Sequence, residues 1–388
     1  MTARLRVGIV CDLLEEAWPS MDLVAEQLVS ELRTSAADVD PVLLRPAMRR
    51  RATCLPFLAA RPQARMLDRL INRHVDYPRW LSGHRDGMRV FHIVDHSYAQ
   101  LVLTLPAGRT VVTCHDLDAF RCVTQPDQEP RCAAFRALVR RTLRGLQQAA
   151  RVVCVSAAVR DELIARALVE PARLAVVPNG VDSLISARPD EESDAVAARL
   201  LGPRRTQDRV LLHVGSSIDR KRIDVLLRAF ALVAADIPGA RLIKVGGLTP
   251  VQRALAEALG VLSRITELPF VDRRVLAAVY RRASVVVVPS DREGFGLPIL
   301  EAQSCGVPVI ASDLAALRET GGGAAIYCPP GVPAGFARAI LGVLHEAPAE
   351  RRRLGLEQAS AFSWERHARR MAAVYREISR DGIRTRMN

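Results

Sequence analysis

Two acids with seven residues between them, Glu293 and Glu301, have the residue type and spacing to bind a polar ligand. They enclose the glycine-bearing stretch EGFGLPILE, which follows the apolar run VVVVPS and precedes a second one, GVPVIAS. Four β-branched residues before a turn signal predict a strand buried on both faces, and Pro298 is typical of the first turn of a helix. The loop between them is therefore predicted at the carboxyl end of a strand, where open parallel sheets bind ligands.

The chemistry of this loop favours a phosphorylated sugar. A carboxylate such as Glu293 can accept hydrogen bonds from sugar hydroxyls, and adjacent glycines let backbone N–H groups approach a ligand closely. The N-terminus of the following helix carries about half a positive charge, which suits a diphosphate. Glu301, one turn into that helix, is placed to accept a bidentate bond from a ribose diol. Either acid alone is better explained as a solvated residue or a partner of the helix dipole, but the pair around a glycine loop favours a ligand.

Twelve apolar segments predict buried strands that would hold such loops in place. In order they are LRVGIVC, PVLLRP, RVFHIV, TVVTCHD, RVVCVS, LAVVPNG, RVLLHVGS, ARLIKVGG, RITELPFV, SVVVVPS, VPVIAS and AAIYCPP. Segments of helical period lie between many of them, for example 21–33, 135–149 and 223–235. Alternating strands and helices with nearly continuous apolar strands predict an α/β fold of parallel sheets covered by helices.

The length and the polar segments predict two domains. A chain of 388 residues exceeds the usual size of one core. We expect a first domain over 1–185 and a second over 205–362, separated by the polar stretch ISARPDEESDAVAARLLGPRRTQD. Both are expected to be doubly wound and Rossmann-like, facing each other across a cleft that suits a ligand. The final segment, 363–388, is predicted to contain a helix that could pack back on the first domain.

Composition narrows the classes of partner. The net charge is +13 and comes almost entirely from arginine, since Lys221 and Lys244 are the only lysines. Aromatic residues make up only 4%, which argues against a nucleic-acid module with stacking platforms. The eight cysteines show no zinc-like spacing and are expected to be reduced thiols. No apolar run is long enough to span a bilayer and the N-terminus leads straight into a strand, so a cytoplasmic protein is expected.

The stretch EGFGLPILE resembles the E-x7-E motif of the retaining, GT-B-fold glycosyltransferases of glycosyltransferase family 4. Other stretches agree with that family in order, including VTCHDL, VVCVSAAVRDEL, VVPNGVD, LHVGSSIDRKRIDVLLRAF, ADIPGARLIKVGG and VYRRASVVVVPS. The resemblance covers about 111–364 and is strongest in the second half. It implies a sugar-nucleotide donor held mainly by the second domain and an acceptor met by the first.

The resemblance also implies roles for single residues of the donor site. Glu293 matches the acid that contacts the donor sugar, Glu301 the acid on the nucleotide ribose, and Lys221 the lysine on the diphosphate. The family commonly has an arginine where this chain has Ser216, so Arg220 could supply the second charge; a solvated helix start remains the alternative for both cations. The remaining donor contacts are expected from the loop that holds Val271 and from the backbone of Gly294, Phe295, Gly296 and Leu297.

On the acceptor side, the matches are fewer. His115 follows a predicted strand and matches the family histidine that reaches the donor sugar near the reacting carbon; without the resemblance it would be a structural hydrogen bonder. Asn179 and Asp182, in PNGVD, match a loop near the cleft, and a plain Asx turn explains them nearly as well.

The first loop departs from the family pattern. Many members have a Gly-Gly pair after the first strand, whereas this chain has CDLLEEAWPSMDLVAEQL. We expect Glu16, Trp18 and Ser20 there to face the acceptor. The tryptophan could stack on a sugar ring, contact a cationic acceptor or form a hydrophobic lid, and Ser20 could cap the next helix.

These residues predict a retaining transfer from a nucleotide-diphosphate sugar to a hydroxyl of a glycan, lipid-linked or small-molecule acceptor. The resemblance supplies no nucleophile for double displacement, so same-face attack is favoured, with charge building on the diphosphate. Neither a metal nor a cofactor is expected, because the cations already neutralise the phosphates. Alternatives are another GT-B enzyme, such as a sugar-nucleotide epimerase or a sugar phosphorylase, and a non-catalytic basic protein that docks on membranes.

An anionic membrane surface is a further candidate partner. Arg136, Arg140 and Arg144 recur at helical spacing. Apolar Leu138, Leu143 and Leu146 lie beside them. The opposing explanation is a solvated arginine face on a helix that packs against its own sheet.

Overall fold

The computed structural model describes residues 4–202, 208–346 and 349–387. These residues form twelve strands, each at one of the predicted apolar segments. In chain order the strands are β1 (Leu5–Val10), β2 (Val39–Leu44), β3 (Val90–Ile93), β4 (Thr110–Cys114), β5 (Arg151–Cys154), β6 (Leu174–Val176), β7 (Arg209–Val214), β8 (Ala240–Val245), β9 (Ile265–Leu268), β10 (Val285–Val288), β11 (Val309–Ser312) and β12 (Ile326–Cys328). The predicted strands are thus confirmed.

Helices connect the strands and include the three that the hydrophobic period predicts. In chain order they are α1 (Pro19–Ser35), α2 (Pro62–Ile71), α3 (Tyr77–Gly83), α4 (Arg121–Thr124), α5 (Ala133–Gln148), α6 (Ala157–Ala165), α7 (Glu191–Leu201), α8 (Ile223–Asp236), α9 (Pro250–Ala258), α10 (Arg273–Arg282), α11 (Leu297–Ser304), α12 (Ala315–Gly321), α13 (Pro333–His345), α14 (Ala349–Ser360) and α15 (Trp364–Met387). A π-helical turn, Asn72–Asp76, joins α2 to α3. No helix in the described part of the chain has the length and apolar character needed to cross a bilayer.

The chain divides into two compact units. Unit 1 comprises Met1–Asn179 and Trp364–Asn388, and unit 2 comprises Gly180–Ser363. Helix α7, which lies inside the polar stretch chosen above as the boundary, is part of unit 2, where Arg281 of α10 donates to Asp194 at 2.7 Å. Within α7, Glu191, Glu192 and Arg199 are exposed, whereas Ala197 and Leu201 are buried.

Unit 1 contains a six-stranded parallel sheet in the order β2-β1-β3-β4-β5-β6. One face of this sheet is covered by α1 and by α15, whose Met371 and Tyr375 are fully buried in the same core as Val7 and Val111. The hydroxyl of Tyr375 also pairs with Nδ1 of buried His92 at 2.7 Å. The last helix of the chain therefore completes the core of unit 1.

Unit 2 contains a second parallel sheet, in the order β12-β11-β10-β7-β8-β9. Strand β10 is buried on both faces, since Val286 and Val288 belong to one hydrophobic core and Val285 and Val287 to the other. In parallel sheets of this kind, loops diverge to opposite faces where the strand order reverses, which leaves a crevice at the carboxyl ends. The reversal lies between β7 and β10 in unit 2, and between β1 and β3 in unit 1.

Candidate functional site

Unit 2 brings four polar side chains together at its point of strand reversal. Ser290 and Glu293 follow β10, and Arg220 and Lys221 lie in a 3-10 turn that follows β7. Lys221 Nζ donates to Glu293 Oε1 at 2.5 Å and Arg220 Nη1 donates to Glu293 Oε2 at 3.0 Å. The hydroxyl of Ser290 donates to Oε1 at 2.8 Å. We call these four residues the Glu293 cluster.

The electrostatics of this cluster keep Glu293 ionised. Its side chain is only 8% exposed. Burial would raise the pKa of Glu293, but the Lys221 ammonium and the Arg220 guanidinium outweigh burial and lower the pKa to about 2. The cluster is therefore a fixed carboxylate between two fixed cations, and the two sequence-predicted phosphate cations lie together with the predicted sugar-binding acid.

Glu301 lies on helix α11 in a second polar group. The Tyr280 hydroxyl donates to Glu301 Oε2 at 2.6 Å. Burial raises the pKa of Glu301, and nearby Asp182 adds to this, while the Tyr280 hydroxyl and the Arg273 guanidinium oppose it. Asp182 is itself held by Arg273 Nη1 at 2.6 Å. The structure thus brings Asp182 near Glu301, whereas Tyr280, a buried residue in the middle of α10, is a partner that sequence reasoning missed.

The glycine loop between the two acids is shaped by backbone geometry. Gly296 has φ +98°, and a Cβ on it would lie 2.6 Å from Leu317 Cδ2, so glycine is required both for conformation and for packing. The carbonyl of Phe295 accepts a hydrogen bond from the Thr320 hydroxyl at 2.6 Å, and this bond holds the loop against α12. Gly294 is buried, and Leu297 is the first residue of α11.

The remaining predicted donor residues lie in neighbouring loops. Ser216 is half-buried directly after Gly215, and Val271 is half-buried in the loop between β9 and α10. Arg222, next to the two cations, has a left-handed backbone (φ +47°) and pairs with Asp291 at 3.0 Å. This pair joins the loop after β7 to the loop after β10.

A buried lysine supports the loop after β7. Lys244 of β8 is fully buried, and its Nζ donates to the carbonyls of Gly215 at 2.6 Å and Val245 at 2.9 Å. Burial lowers the pKa of Lys244 to about 8, with Glu267 opposing and Lys221 adding to the shift. A polar residue inside an otherwise apolar strand, as in LIKVGG, is the sequence signal that could have found it.

In unit 1, His115 follows β4 and is anchored to the backbone. Its Nε2 pairs with the Val94 carbonyl at 2.8 Å, so this nitrogen carries the proton, and its backbone N–H donates to His96 Nδ1 at 3.2 Å. Burial lowers the pKa of His115, against the effect of Asp95. The imidazole is therefore a neutral group with a fixed tautomer.

The first loop holds Glu16 in a buried position and Trp18 in an exposed one. The Glu16 side chain is fully buried, whereas Trp18 is 46% exposed. Trp18 Nε1 donates to Glu16 Oε2 at 3.3 Å, and Arg69 Nη2 lies 3.4 Å from the same oxygen. The prediction that Ser20 could cap α1 is wrong, because Trp18 is the cap residue, Pro19 begins the helix and Ser20 is already inside it.

Within the described part of unit 1, buried polar groups without a partner follow strands β1 and β6. Both carboxylate oxygens of Asp12 and one oxygen of Asn179 are buried and have no hydrogen-bond partner among the described residues. Burial raises the pKa of Asp12 well above its ordinary value, and the Asp95 carboxylate adds to the shift. Asp12 and Asp95 directly follow the segments of β1 and β3, and that position after a strand is the signal that sequence reasoning overlooked.

Helix α5 carries exposed arginines beside leucines that are buried to different degrees. Arg140 and Arg144 are exposed and Arg136 is half-buried, while Leu143 and Leu146 are buried in unit 1. Two of the three leucines beside the arginines thus pack inward, and Leu138 is half-buried. All eight cysteines are free thiols, as expected, and the described residues contain no group of three or more acidic, histidine or cysteine side chains that could hold a metal ion.

The two doubly wound sheets and the loops at their strand ends define a protein of the GT-B class. Two family models match the chain: the "Glycosyltransferase Family 4" model over 24–183 and the "Glycosyl transferases group 1" model over 208–346. The chain belongs to the GT-B-fold glycosyltransferases of family 4. The fold class predicted from the sequence and the family resemblance are both confirmed.

Two curated relatives of the chain carry the same name. The chain is 35% identical over 238 residues to a D-inositol 3-phosphate glycosyltransferase of Segniliparus rotundus, which covers 55% of this chain and 49% of the relative. It is 31% identical over 278 residues to a protein of the same name from Mycobacteroides abscessus, covering 68% of this chain and 60% of the relative. The chain thus spans about half the length of the first of these relatives.

Solved structures share the fold. Sucrose-phosphate synthase from Thermosynechococcus elongatus has a TM-score of 0.75 at 23% identity, over 97% of this chain and 99% of the other. The Anabaena protein HepE, solved in complex with UDP and glucose, has a TM-score of 0.71 at 14% identity, over 96% of this chain and 100% of the other. At these identities the likeness concerns the fold.

Proposed function

We propose that this protein transfers a sugar from a nucleotide-diphosphate sugar to a hydroxyl acceptor, with retention at the anomeric carbon and without a metal ion. The observation that carries the proposal is the Glu293 cluster at the strand reversal of unit 2, immediately before the N-terminus of α11. Two fixed cations and a helix N-terminus at one place suit a diphosphate that gains negative charge as it leaves.

Each donor group has a residue suited to it. Lys221 and Arg220 would bind the diphosphate, and Glu293 would hold the two cations in position and accept bonds from sugar hydroxyls. Glu301 would accept both hydroxyls of the ribose, with Tyr280 orienting its carboxylate. The backbone from Gly294 to Leu297 would line the diphosphate. These assignments combine the geometry of unit 2 with the family resemblance.

The same residues favour a reaction without a metal ion. Asp291 and Glu293 form a D-x-D-like pair, and both are engaged by basic side chains: Arg222 with the first, and Arg220 and Lys221 with the second. Charge neutralisation at the phosphates would come from these cations instead. The leaving phosphate oxygen would accept the proton of the acceptor in a same-face attack. The role of His115 near the reacting carbon remains a prediction that rests on the resemblance.

The names of similar proteins suggest which donors and acceptors to test first. Relatives are named for D-inositol 3-phosphate, and HepE was solved with UDP and glucose. We therefore propose a uridine-type sugar nucleotide as the first donor class and a small polyol as the first acceptor class. An anionic membrane remains a candidate partner only through the exposed arginines of α5.

A ligand panel followed by thermal unfolding tests the donor proposal. We expect a nucleotide diphosphate or sugar nucleotide to raise the unfolding temperature of the full chain, because selective binding stabilises the folded state by mass action. Glu301→Ala should lose a bidentate ribose contact, about 2 kcal/mol or roughly thirty-fold in donor affinity. Glu257→Ala, an exposed acid of α9, is the matched control and should bind like the wild type.

Product analysis separates transfer from the alternatives. Transfer requires an acceptor and yields a glycoside that keeps the donor's anomeric configuration. A change of the donor sugar without any acceptor would instead indicate an epimerase. No shift with any nucleotide would overturn the proposal as a whole.

A further inference from the structure

Unit 1 contains a groove that none of the roles assigned above uses. It has a volume of about 520 Å³, which is within the usual range for small-ligand sites. It lies between the chain that follows β2 and the π-helical turn with α3. Its lining includes Arg49, Arg51, Asp76, Tyr77, Arg79 and Trp80.

The groove carries unbalanced positive charge. Of its three guanidiniums, only that of Arg51 is neutralised, through two hydrogen bonds to Asp76, the one at Oδ1 being 2.7 Å long. Arg49 and Arg79 are exposed, and neither side chain forms an ion pair or a hydrogen bond within the described ranges. Two positive charges therefore remain in a concave site beside the half-buried indole of Trp80.

The walls of the groove are held firmly by buried polar residues. The buried hydroxyl of Tyr77 donates to the carbonyls of Cys11 at 2.7 Å and Leu44 at 2.8 Å, which ties α3 to the ends of β1 and β2. The amide of buried Asn72 accepts from Arg49 N at 2.7 Å and donates to Arg49 O at 2.8 Å. The backbone that carries Arg49 is thereby fixed on both sides.

A second buried acid fixes the next residues of the same segment. Asp68 is fully buried, and its carboxylate accepts from the backbone N–H groups of Arg51 at 3.1 Å, Ala52 at 2.8 Å and Thr53 at 3.0 Å. This segment is therefore an ordered wall.

We propose that this groove binds the phosphate group of a small phosphorylated molecule, with Arg49 and Arg79 as its ligands and Trp80 against its carbon skeleton. A phosphate monoester carries about −1.5 to −2 charges at pH 7, which matches the two unbalanced arginines better than a carboxylate does. Guanidinium groups bind phosphate through paired N–H donors.

The groove adjoins the first loop of unit 1. Leu13 of that loop lines it, and Glu15 Oε1 accepts from Met48 N at 3.0 Å, one residue before Arg49. The identification of the phosphorylated molecule as the acceptor rests on the proposed transferase function. The binding of phosphate by the groove does not depend on it.

Calorimetric titration of the full chain tests the site with glycerol 3-phosphate as probe and glycerol as its phosphate-free counterpart. We expect glycerol 3-phosphate to bind and glycerol not to bind. The double variant Arg49→Gln/Arg79→Gln should weaken binding at least ten-fold. Arg50→Gln is the matched control, because Arg50 is an exposed arginine of the same segment that does not line the groove.

Vesicles distinguish a free phosphate from a lipid headgroup. Binding to vesicles that contain phosphatidic acid, but not to glycerol 3-phosphate, would assign the phosphate to a lipid and still support the site if the double variant abolishes it. Equal weakening by Arg50→Gln, or no binding of either probe to the wild type, would overturn the proposal. A failure to bind nucleotides in the thermal unfolding panel would not change the expected binding of glycerol 3-phosphate in the groove. The two proposals can therefore fail separately.

Discussion

Glu293 shows how one buried residue can organise a site. Its carboxylate is shared by a lysine, an arginine and a serine, and the lysine and arginine come from a loop more than seventy residues earlier in the chain. Removing one partner of a buried ion pair is costly, because the remaining charges lose their compensation. The same carboxylate is therefore expected to matter for stability as well as for ligand binding.

The pH dependence of stability can be predicted from this ion pair. The folded-state pKa of Glu293 is about 2 and its ordinary value is 4.5. A lowered pKa contributes stability that is present above about pH 4.5 and is lost as the pH falls towards 2. Glu293→Gln should thus reduce the free energy of unfolding by on the order of 3 kcal/mol at pH 7, and by progressively less below pH 4.5. Denaturant unfolding at pH 7, 4 and 3 measures this; a gap that stays constant would contradict it.

Lys244 gives a second prediction about pH, at the alkaline end of the range. Its folded-state pKa is about 8 and its ordinary value is 10.5. Because the unfolded chain binds more protons between these values, the free energy of unfolding should rise as the pH increases from about 8 to 10.5. We expect this rise to be smaller in Lys244→Met, which cannot titrate. Equal slopes for the two proteins in alkaline unfolding curves would refute the assignment.

At this scale the sequence reveals local pairs and misses distant ones. Glu293 and Glu301 could be predicted because both lie within one short stretch beside a strand signal. Tyr280 could not, because its contact with Glu301 depends on how α10 packs beside α11, which no local pattern specifies. The pairing of Arg222 with Asp291 could not be predicted either, since the two residues lie far apart along the chain.

Among the elements, the strands were predictable and the helix starts were less so. The apolar runs specify all twelve strands, because a strand buried on both faces needs a continuous apolar sequence. The start of α1 was misjudged at Ser20, since Pro19 occupies the first helical position and the residue before it is Trp18. Helix α7 was not predicted within its polar stretch, because it buries few residues and so shows little apolar pattern.

The turn into α11 yields a prediction about its glycine. Gly296→Ala would combine a left-handed backbone with a Cβ only 2.6 Å from Leu317 Cδ2. Gly260→Ala is the matched control, because Gly260 also has positive φ (+71°) but open space around its Cβ position. We expect about 1 kcal/mol of destabilisation for the control and about 2–3 kcal/mol for Gly296→Ala. Equal losses in denaturant unfolding would show that packing against Leu317 contributes nothing.

At the scale of the whole molecule, we can predict how removing metal ions with a chelator affects activity. Because Arg220 and Lys221 supply that charge in the proposed mechanism, transfer activity should survive dialysis against EDTA with little change in rate. Sugar transfer measured before and after dialysis, and again after adding Mg²⁺ or Mn²⁺, checks this. Abolished activity that a divalent ion restores would show that the metal-free mechanism is wrong.

The return of helix α15 to unit 1 has a consequence for how the protein is made on the ribosome. Unit 2 is continuous in sequence, from Gly180 to Ser363, so every residue it needs has been synthesised before α15 begins. The sheet of unit 1, in contrast, lacks Met371 and Tyr375 until after unit 2 is complete, and the part of its apolar face that α15 covers stays exposed until then. Exposed apolar surface on a nascent chain invites aggregation. The first half of this protein should therefore need chaperone protection during translation for longer than the second.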